Sequence, residues 1–489
     1  MAANYLHGVE TIEVERGPRP VSTVKSAVIG LIGTAPICPT VKDVNGNDVS
    51  SVNTAVLSLS EKDAAGFGPQ LPGFSIPQAL SAIYDHGAGT VVVINVLDPT
   101  VHKSPAAPES VTLNAADVAR TKNPAVANVV VKNADGTQTY VLGKDYALEP
   151  LTGKITRLKA GNIAAGANLT LSYDYADPGK VTAADIIGGV NAAGKRYGGK
   201  ALQDTFNQFG FFAKLLIAPG FCTQSSVAAE LAAMADKLDA IAYIDAPIGT
   251  SLTDVLAGRG PLAPAGTIHF NTSSDRVRLC YPYVMVADGN GGLRLDPLSA
   301  RAAGLRAKVD NSKGFWWSSS NQELAGVVGV ERQLTAMIDD PNSEVNQLNA
   351  VGISTVFNSV GTGFRLWGNR TAAWPAVTSM RNFENVRRTG DVINESIRYF
   401  SQQYIDMPLN QATIDSLVES VNGYGRKLIG DGALLGFKAW FDVSRNPQTE
   451  LSAGHLLISY KYTVAPPLER LSFETEITSE YLLSLKGGN

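Results

Sequence analysis

Short apolar runs of strand length, each followed by an amphipathic helical stretch, constrain this chain more than any other feature. The longest, residues 91–96 and 211–218, fall well below the roughly 18 residues that a membrane-spanning helix needs. Strands that are apolar throughout and alternate with helices imply a sheet covered on both faces, parallel pairing and right-handed crossovers. Residues 26–36 (SAVIGLIGTAP), a helical stretch over 74–86 with Ala79, Ile83 and His86 on one stripe, and 90–96 (TVVVINV) form a first strand–helix–strand unit. The pattern resumes with KLLIAPG (214–220), a helix through Leu231, Met234, Leu238 and Ile241, then AIAYID (240–245) and RVRLCYPYVMV (276–286) as strands. Thr182 and Asp185 have capping-box spacing ahead of another helix.

Two segments depart from this alternation. Residues 99–180 open on a proline-rich linker and continue as short β-type runs; NVVVKN, the Asp135-Gly136 turn and QTYVL carry a hairpin signature. This block reads as an inserted all-β, sandwich-like outer domain. Residues 300–430 read as mostly helical. One helix near 391–406 carries Ile393, Ile397, Phe400 and Tyr404; another near 411–428 carries Ile414, Leu417, Val421 and Leu428. The whole is a multi-domain α/β chain, and 489 residues suit about three domains of roughly 150 residues.

The two ends read as strands set apart by prolines. Ile12 and Val14 share one side of a short strand whose other side is Thr11, Glu13 and Glu15; Gly17, Pro18 and Pro20 then interrupt pairing. Toward the C-terminus, Phe437, Ala439, Phe441 and Val443 alternate with polar residues, as do Leu456, Ile458, Tyr460, Tyr462 and Val464, which predicts an antiparallel pair over 434–443 and 455–464. Pro466 and Pro467 stop the second strand. A third follows, with Leu471, Phe473, Thr475 and Ile477 opposite Ser472, Glu474, Glu476 and Thr478.

Composition and motifs exclude several classes. With 41 basic and 45 acidic side chains and a net charge of −4, the chain lacks the basic surplus of a nucleic-acid-coating protein. At 44% hydrophobic and 18% charged residues it is no disordered chain. Three scattered cysteines, Cys38, Cys222 and Cys280, offer neither a disulfide framework nor a paired-cysteine zinc site. The first ten residues have no basic and apolar leader pattern, so a soluble, cytosolically made protein is expected. His7, His86, His102, His269 and His455 have no metal-ligand spacing, and neither a nucleophile elbow nor a phosphate-binding loop is present. Asp339-Asp340 before Pro341 reads as a turn, and Ser318–Ser320 as a polar loop with no positioned base. No catalytic, cofactor-binding or metal site is expected.

GFWWSSSNQEL (314–324) followed by GVVGVERQL, and GFRLWGNRT (363–371), resemble core motifs of contractile tail sheath proteins. The opening LHGVETIEVERGPRPVSTVKSAVIGLIGTAP is similar to the sheath N-terminus of the group that includes phage P2 and the R-type pyocins, and YTVAPPLERLSFETEIT (462–478) to its C-terminus. The resemblance implies a structural subunit rather than an enzyme. It implies hexameric rings stacked around a tail tube, contraction that drives the tube through the host envelope, and terminal arms that add strands to neighbours' sheets. Partners would be other copies of the chain, the tube protein, and baseplate and tail terminator proteins, in a virion tail assembled in the host cytoplasm, without nucleic-acid contact or membrane insertion. The expected organisation is an N-terminal arm and linker (1–20), a first α/β part (21–98), the outer insertion (99–180), an α/β middle domain (181–300), a tube-proximal core domain (301–464) and a C-terminal arm (465–489). An α+β core would combine N- and C-terminal parts of the chain.

Strand alternation at both ends supports the arm reading independently, because added strands are held by backbone hydrogen bonds and placed in register by alternating side chains. Val9, Ile12, Val14, Leu471, Phe473 and Ile477 would be the arm residues. Phe437, Ala439, Phe441, Leu456, Ile458 and Tyr460 would line the recipient sheet, and Gly17, Pro18, Pro20, Pro466 and Pro467 would form the hinges. Asp339, Asp340 and Glu344, in the acidic stretch 338–349, are candidate tube contacts; a solvated surface helix is the competing reading. Trp316, Trp317, Trp367, Arg365 and Arg370 are expected to pack in core and interface. The alternatives are an α/β enzyme with a cofactor-binding sheet, suggested by the strand–helix–strand run at 214–245, and a different tail component such as a tube or baseplate subunit.

Overall fold

A computed structural model describes residues 20–484 apart from 43–45, 88, 261–267, 290, 338, 360 and 362. Its body is a nine-stranded sheet in the order Gln322–Glu323, Gly363–Trp367, Ile353–Ser359, Val277–Cys280, Ile241–Asp245, Leu215–Ile217, Val28–Gly33, Thr90–Asn95, Ala55–Ser58. The strands from Ile353–Ser359 through Thr90–Asn95 run parallel; the outer ones are antiparallel. Alternate side chains feed two cores because successive strand residues point to opposite faces. Ile29, Leu31, Val91, Val93 and Ile217 pack with helices Ile76–Tyr84 and Leu298–Ser312. Val28, Ile32, Val92, Ile94 and Leu216 pack with helix Ser225–Leu238. This is the two-sided burial that the uninterrupted apolar runs predict.

Several elements differ from the sequence reading. Ile241 opens a strand rather than ending a helix: Asp239 caps the helix in a left-handed conformation. The run 276–286 is two strands in two sheets. Val277–Cys280 belongs to the body, whereas Val284–Ala287 pairs with Leu293–Asp296 and Val327–Val330; Pro282 between them has no N–H to continue a ladder. Residues 300–430, expected to be mostly helical, supply three body strands, so the sheet crosses the boundary expected at residue 300. The helix expected near 391 starts at Glu384 and ends at Ser401, and the strand expected from 455 begins at Ile458.

The block 99–180 forms a five-stranded and a three-stranded sheet around its own core of Leu113, Val131, Tyr146, Ile155, Leu169 and Leu171. Its entry and exit are tied together. Asp177 N–H donates to the His102 carbonyl at 2.9 Å, and Ser104 Oγ donates to Asp177 at 2.6 Å. The capping box at Thr182 and Asp185 forms.

The C-terminal unit comprises helices Glu384–Ser401 and Gln411–Gly430 and strands Leu434–Phe441 and Ile458–Val464. Val21 and Val24, from the start of the described chain, pack into its core beside Ile393, Phe400, Val421 and Leu428.

Candidate assembly surface

Strands Leu434–Phe441 and Ile458–Val464 pair antiparallel, with Phe437 opposite Tyr462, Ala439 opposite Tyr460 and Phe441 opposite Ile458. Helix Gln411–Gly430 supports the pair from below. Asn422 bonds both backbone groups of Ala439, accepting from its N–H at 2.8 Å and donating to its carbonyl at 2.9 Å. Gly425 permits the close approach: a Cβ there would lie 2.8 Å from Phe437 Cβ. Phe437, Tyr460 and Tyr462 stack with ring centroids 6.0–6.3 Å apart, and Tyr460 Oη donates to Asn394 at 2.7 Å. The inner face of the pair is therefore fixed.

Its edges are not covered. Among the described residues neither strand has a second ladder partner. Unpaired edges of this length are a standing template for another strand. Leu456, expected in the recipient sheet, lies just before the second strand. Val443, expected to continue the first strand, sits in a short 3₁₀ turn and is exposed.

The chain beyond Val464 leaves this sheet. Pro466 and Pro467 line a cleft of about 540 Å³ with Trp316, Trp317 and Trp367. Glu469 then pairs with Arg370, whose guanidinium lies between the rings of Trp374 and Phe383 at 4.0 and 4.2 Å. Among the described residues, 471–477 pair in no strand, and Leu471, Phe473 and Ile477 are exposed, Phe473 at 81%. The two prolines are thus held against the body, and the ion pair at Glu469 ties the chain down beyond them. Val9, Ile12, Val14, Gly17 and Pro18 lie outside the described residues; Pro20 is exposed.

The acidic stretch is only partly helical. Its helix is Glu344–Ala350, with Val345 and Leu348 buried, while Asp339 and Asp340 precede it in a turn. Asp340 accepts from Asn342 N–H; Glu344 accepts from Thr335 N–H and faces Arg332 at 3.7 Å. Trp367 stacks on Phe357 at 4.8 Å, Trp316 meets Phe315 edge-on, and Arg365 donates to the Asn321 carbonyl. Trp317 is half exposed. Ser319 accepts from Arg278, and Ser320 accepts from Gly368 N–H.

One constellation escaped the sequence reading. Helix Glu384–Ser401 turns Glu384, Arg388, Asp391 and Glu395, one every turn, toward the body, and all four are buried. Glu384 meets Arg278, which strand Val277–Cys280 carries, and Tyr243. Asp391 takes a bidentate pair from Arg276 at 2.8 and 3.0 Å. Glu395 meets Lys214 at 2.7 Å. Arg388 and Arg306 share the Asp310 carboxylate. Burial alone would raise the Asp310 pKa, but the two guanidiniums hold it at about 2. The opposite side of the same helix, with Ile393, Ile397 and Phe400, faces the C-terminal core. Charge fastens the C-terminal unit to the body; apolar packing holds it together.

At the carboxyl ends of the parallel strands, where an α/β enzyme would bind its ligand, a cavity of about 270 Å³ is lined by Phe74, Ser75, Pro219, Gly220, Tyr283 and Asp296, and polar side chains beside it bond to one another and to backbone. Asn95 bonds Ala35 N–H and carbonyl. Ser75 accepts from Thr34 N–H. Asp245, raised to about 6 by burial, accepts from Ser299 N–H and contacts Cys222. Among the described residues no three metal-ligating side chains cluster.

The described chain is thus an α/β body sheet carrying a two-stranded sheet mounted on a helix. Residues 179–372 match the family model for the phage tail sheath protein central domain, and 377–478 that for the phage tail sheath C-terminal domain; 99–185 match a family described only as of unknown function. The chain is 70% identical to the tail sheath protein of Burkholderia phage BcepMu across the full length of both, and 26% identical to that of Escherichia phage P2 over 99% of this chain and 98% of the other. Its fold resembles that of the sheath complex of PVC, an extracellular contractile injection system, in its contracted state, with a TM-score of 0.57 at 16% identity over 98% of this chain and 99% of that one. The chain belongs to the phage tail sheath protein family.

Proposed function

We propose that this chain is the structural subunit of a contractile tail sheath. It polymerises as stacked hexameric rings around a tail tube and contracts to drive the tube through the host envelope. Neighbours are joined by exchanged terminal strands, 1–16 and 470–478. The reading includes the partners expected from the sequence: other copies, the tube, and baseplate and terminator proteins. The subunit acts in the virion tail after assembly in the host cytoplasm, and it works by docking rather than by catalysis.

One observation carries this reading: among the described residues, a strand pair with no second ladder partner on either edge stands on a helical base, and residues 471–477 pair in no strand while Leu471, Phe473 and Ile477 are exposed. Strand addition would complete both elements at once. The hinge of the C-terminal arm falls at Arg470, just past the Arg370–Glu469 pair, rather than at Pro466 and Pro467. Bodies can then rotate as units while the joined strands hold, a rigid-body switch. Asp339 remains a candidate tube contact; Asp340 and Glu344 already have partners in the chain.

The test is assembly of two truncations, lacking 1–16 or 470–489, followed by electron microscopy. Folded monomers that form no ordered cylinders are expected from each. Cylinders like those of the full chain, from either truncation, would overturn the exchange of that arm.

A further inference from the structure

The open strand pair carries two lysines where a free sheet should not want them. Lys438 and Lys461 lie directly opposite each other on the outer face. Both are exposed, and like charges placed across a ladder are destabilising. Lys461 rests 5.9 Å from the centre of the Trp440 ring. Arg445 adds a third cation to this face, donating to Ser459 at 2.7 Å. Among the described residues neither lysine has a carboxylate partner within ion-pair distance.

The C-terminal arm has the complementary pattern. Residues 471–478, LSFETEIT, place Leu471, Phe473, Thr475 and Ile477 on one side and Glu474 and Glu476 on the other, with no basic residue among them. Beside strand Ile458–Val464 lies a groove of about 370 Å³, bounded by Met380, Val386, Gly390, Tyr462 and Val464, with Arg381, Arg387 and Asn394 at its polar side. A strand laid on that edge would turn its apolar side down toward the groove and its glutamates up beside Lys461.

Resting on the strand-exchange reading above, we propose that Lys461 and Lys438 select the C-terminal arm of a second copy and set its register, through Glu474 and Glu476, on the edge of Ile458–Val464. A slip of one residue would take the glutamates away from Lys461 and Lys438 and turn the apolar side chains into water. The lysine pair thus makes the vacant edge unfavourable and the correctly filled one favourable, which discriminates against wrong strands as well as for the right one.

The test uses the full-length chain with Lys438→Glu and Lys461→Glu together, the arm double variant Glu474→Lys and Glu476→Lys, and all four changes combined. Each double variant should stay folded by circular dichroism and raise the critical concentration for cylinder formation by roughly tenfold or more. The combined variant should recover most of that loss. Full-length assembly by the lysine variant at unchanged critical concentration, or a combined variant no better than either double, would overturn the charge register. Strand exchange itself would stand or fall separately, on the 470–489 truncation.

Discussion

Phe473 gives the sharpest perturbation of the arm. The ring is 81% exposed on its own chain, so Phe473→Ala removes almost no contact within the folded monomer. Surface changes of this kind typically move stability by no more than about 0.5 kcal/mol. In the assembled state the same ring would be buried against a neighbour, where a side chain of this size contributes about 1.5–3 kcal/mol. Every joint loses that amount, which corresponds to a critical concentration higher by roughly tenfold to a hundredfold. Two assays separate the states: urea denaturation of the monomer below the critical concentration for assembly, and sedimentation of cylinders across a dilution series. The reasoning requires unchanged denaturation with strongly impaired sedimentation. A monomer weakened by 2 kcal/mol or more would show that the ring is buried at home; unimpaired sedimentation would show that it is buried nowhere.

Other consequences follow from the body. Asp310→Asn leaves Arg306 and Arg388 buried without their shared counter-charge, and urea denaturation should show a loss of about 3–5 kcal/mol. Burial holds the His86 imidazole down at about 4, with Nε2 accepting from Ala325 N–H. The unfolded chain takes up that proton first, so stability should fall as pH drops from about 6.5 to 4, by at most roughly 3 kcal/mol; a His86→Gln variant should show a flatter pH profile in the same denaturation series. Replacing residues 103–176 with a short glycine linker should leave a folded body with a thermal transition close to that of the full chain, because the insertion has its own core and its two ends are already bonded together.

How far the sequence could be read depended on which force holds each part. The body was legible because burial on both faces leaves an uninterrupted apolar run, as in VVVIN at Val91–Asn95. The strand pair at 434–464 was legible because one face is buried and the other wet, so side chains alternate. The stripe Glu384, Arg388, Asp391 and Glu395 was not. Charges at turn spacing ordinarily mark a solvated face, and their partners lie 78 to 181 residues away on strands and another helix. A signal was present: Arg278 on the otherwise apolar strand Val277–Cys280 and Arg276 just before it stand two apart, which places two cations on one side of the chain. Strands Ile353–Ser359 and Gly363–Trp367 were missed because their Ser, Thr, Asn and Gly residues weaken the β pattern, and pairing with the body supplies what local preference does not. The contact that holds the two prolines was hidden for a similar reason. Prolines mark where a ladder ends, but the Arg370–Glu469 pair joins residues 99 apart, and nothing local announces it.

The most direct measurement is a reconstruction of the assembled cylinder at a resolution that traces strands. The account predicts additional strands on the free edges of Leu434–Phe441 and Ile458–Val464, each from a different copy of the chain, with Glu474 or Glu476 beside Lys461. Edges left bare, or filled by the subunit's own residues 470–478, would contradict it.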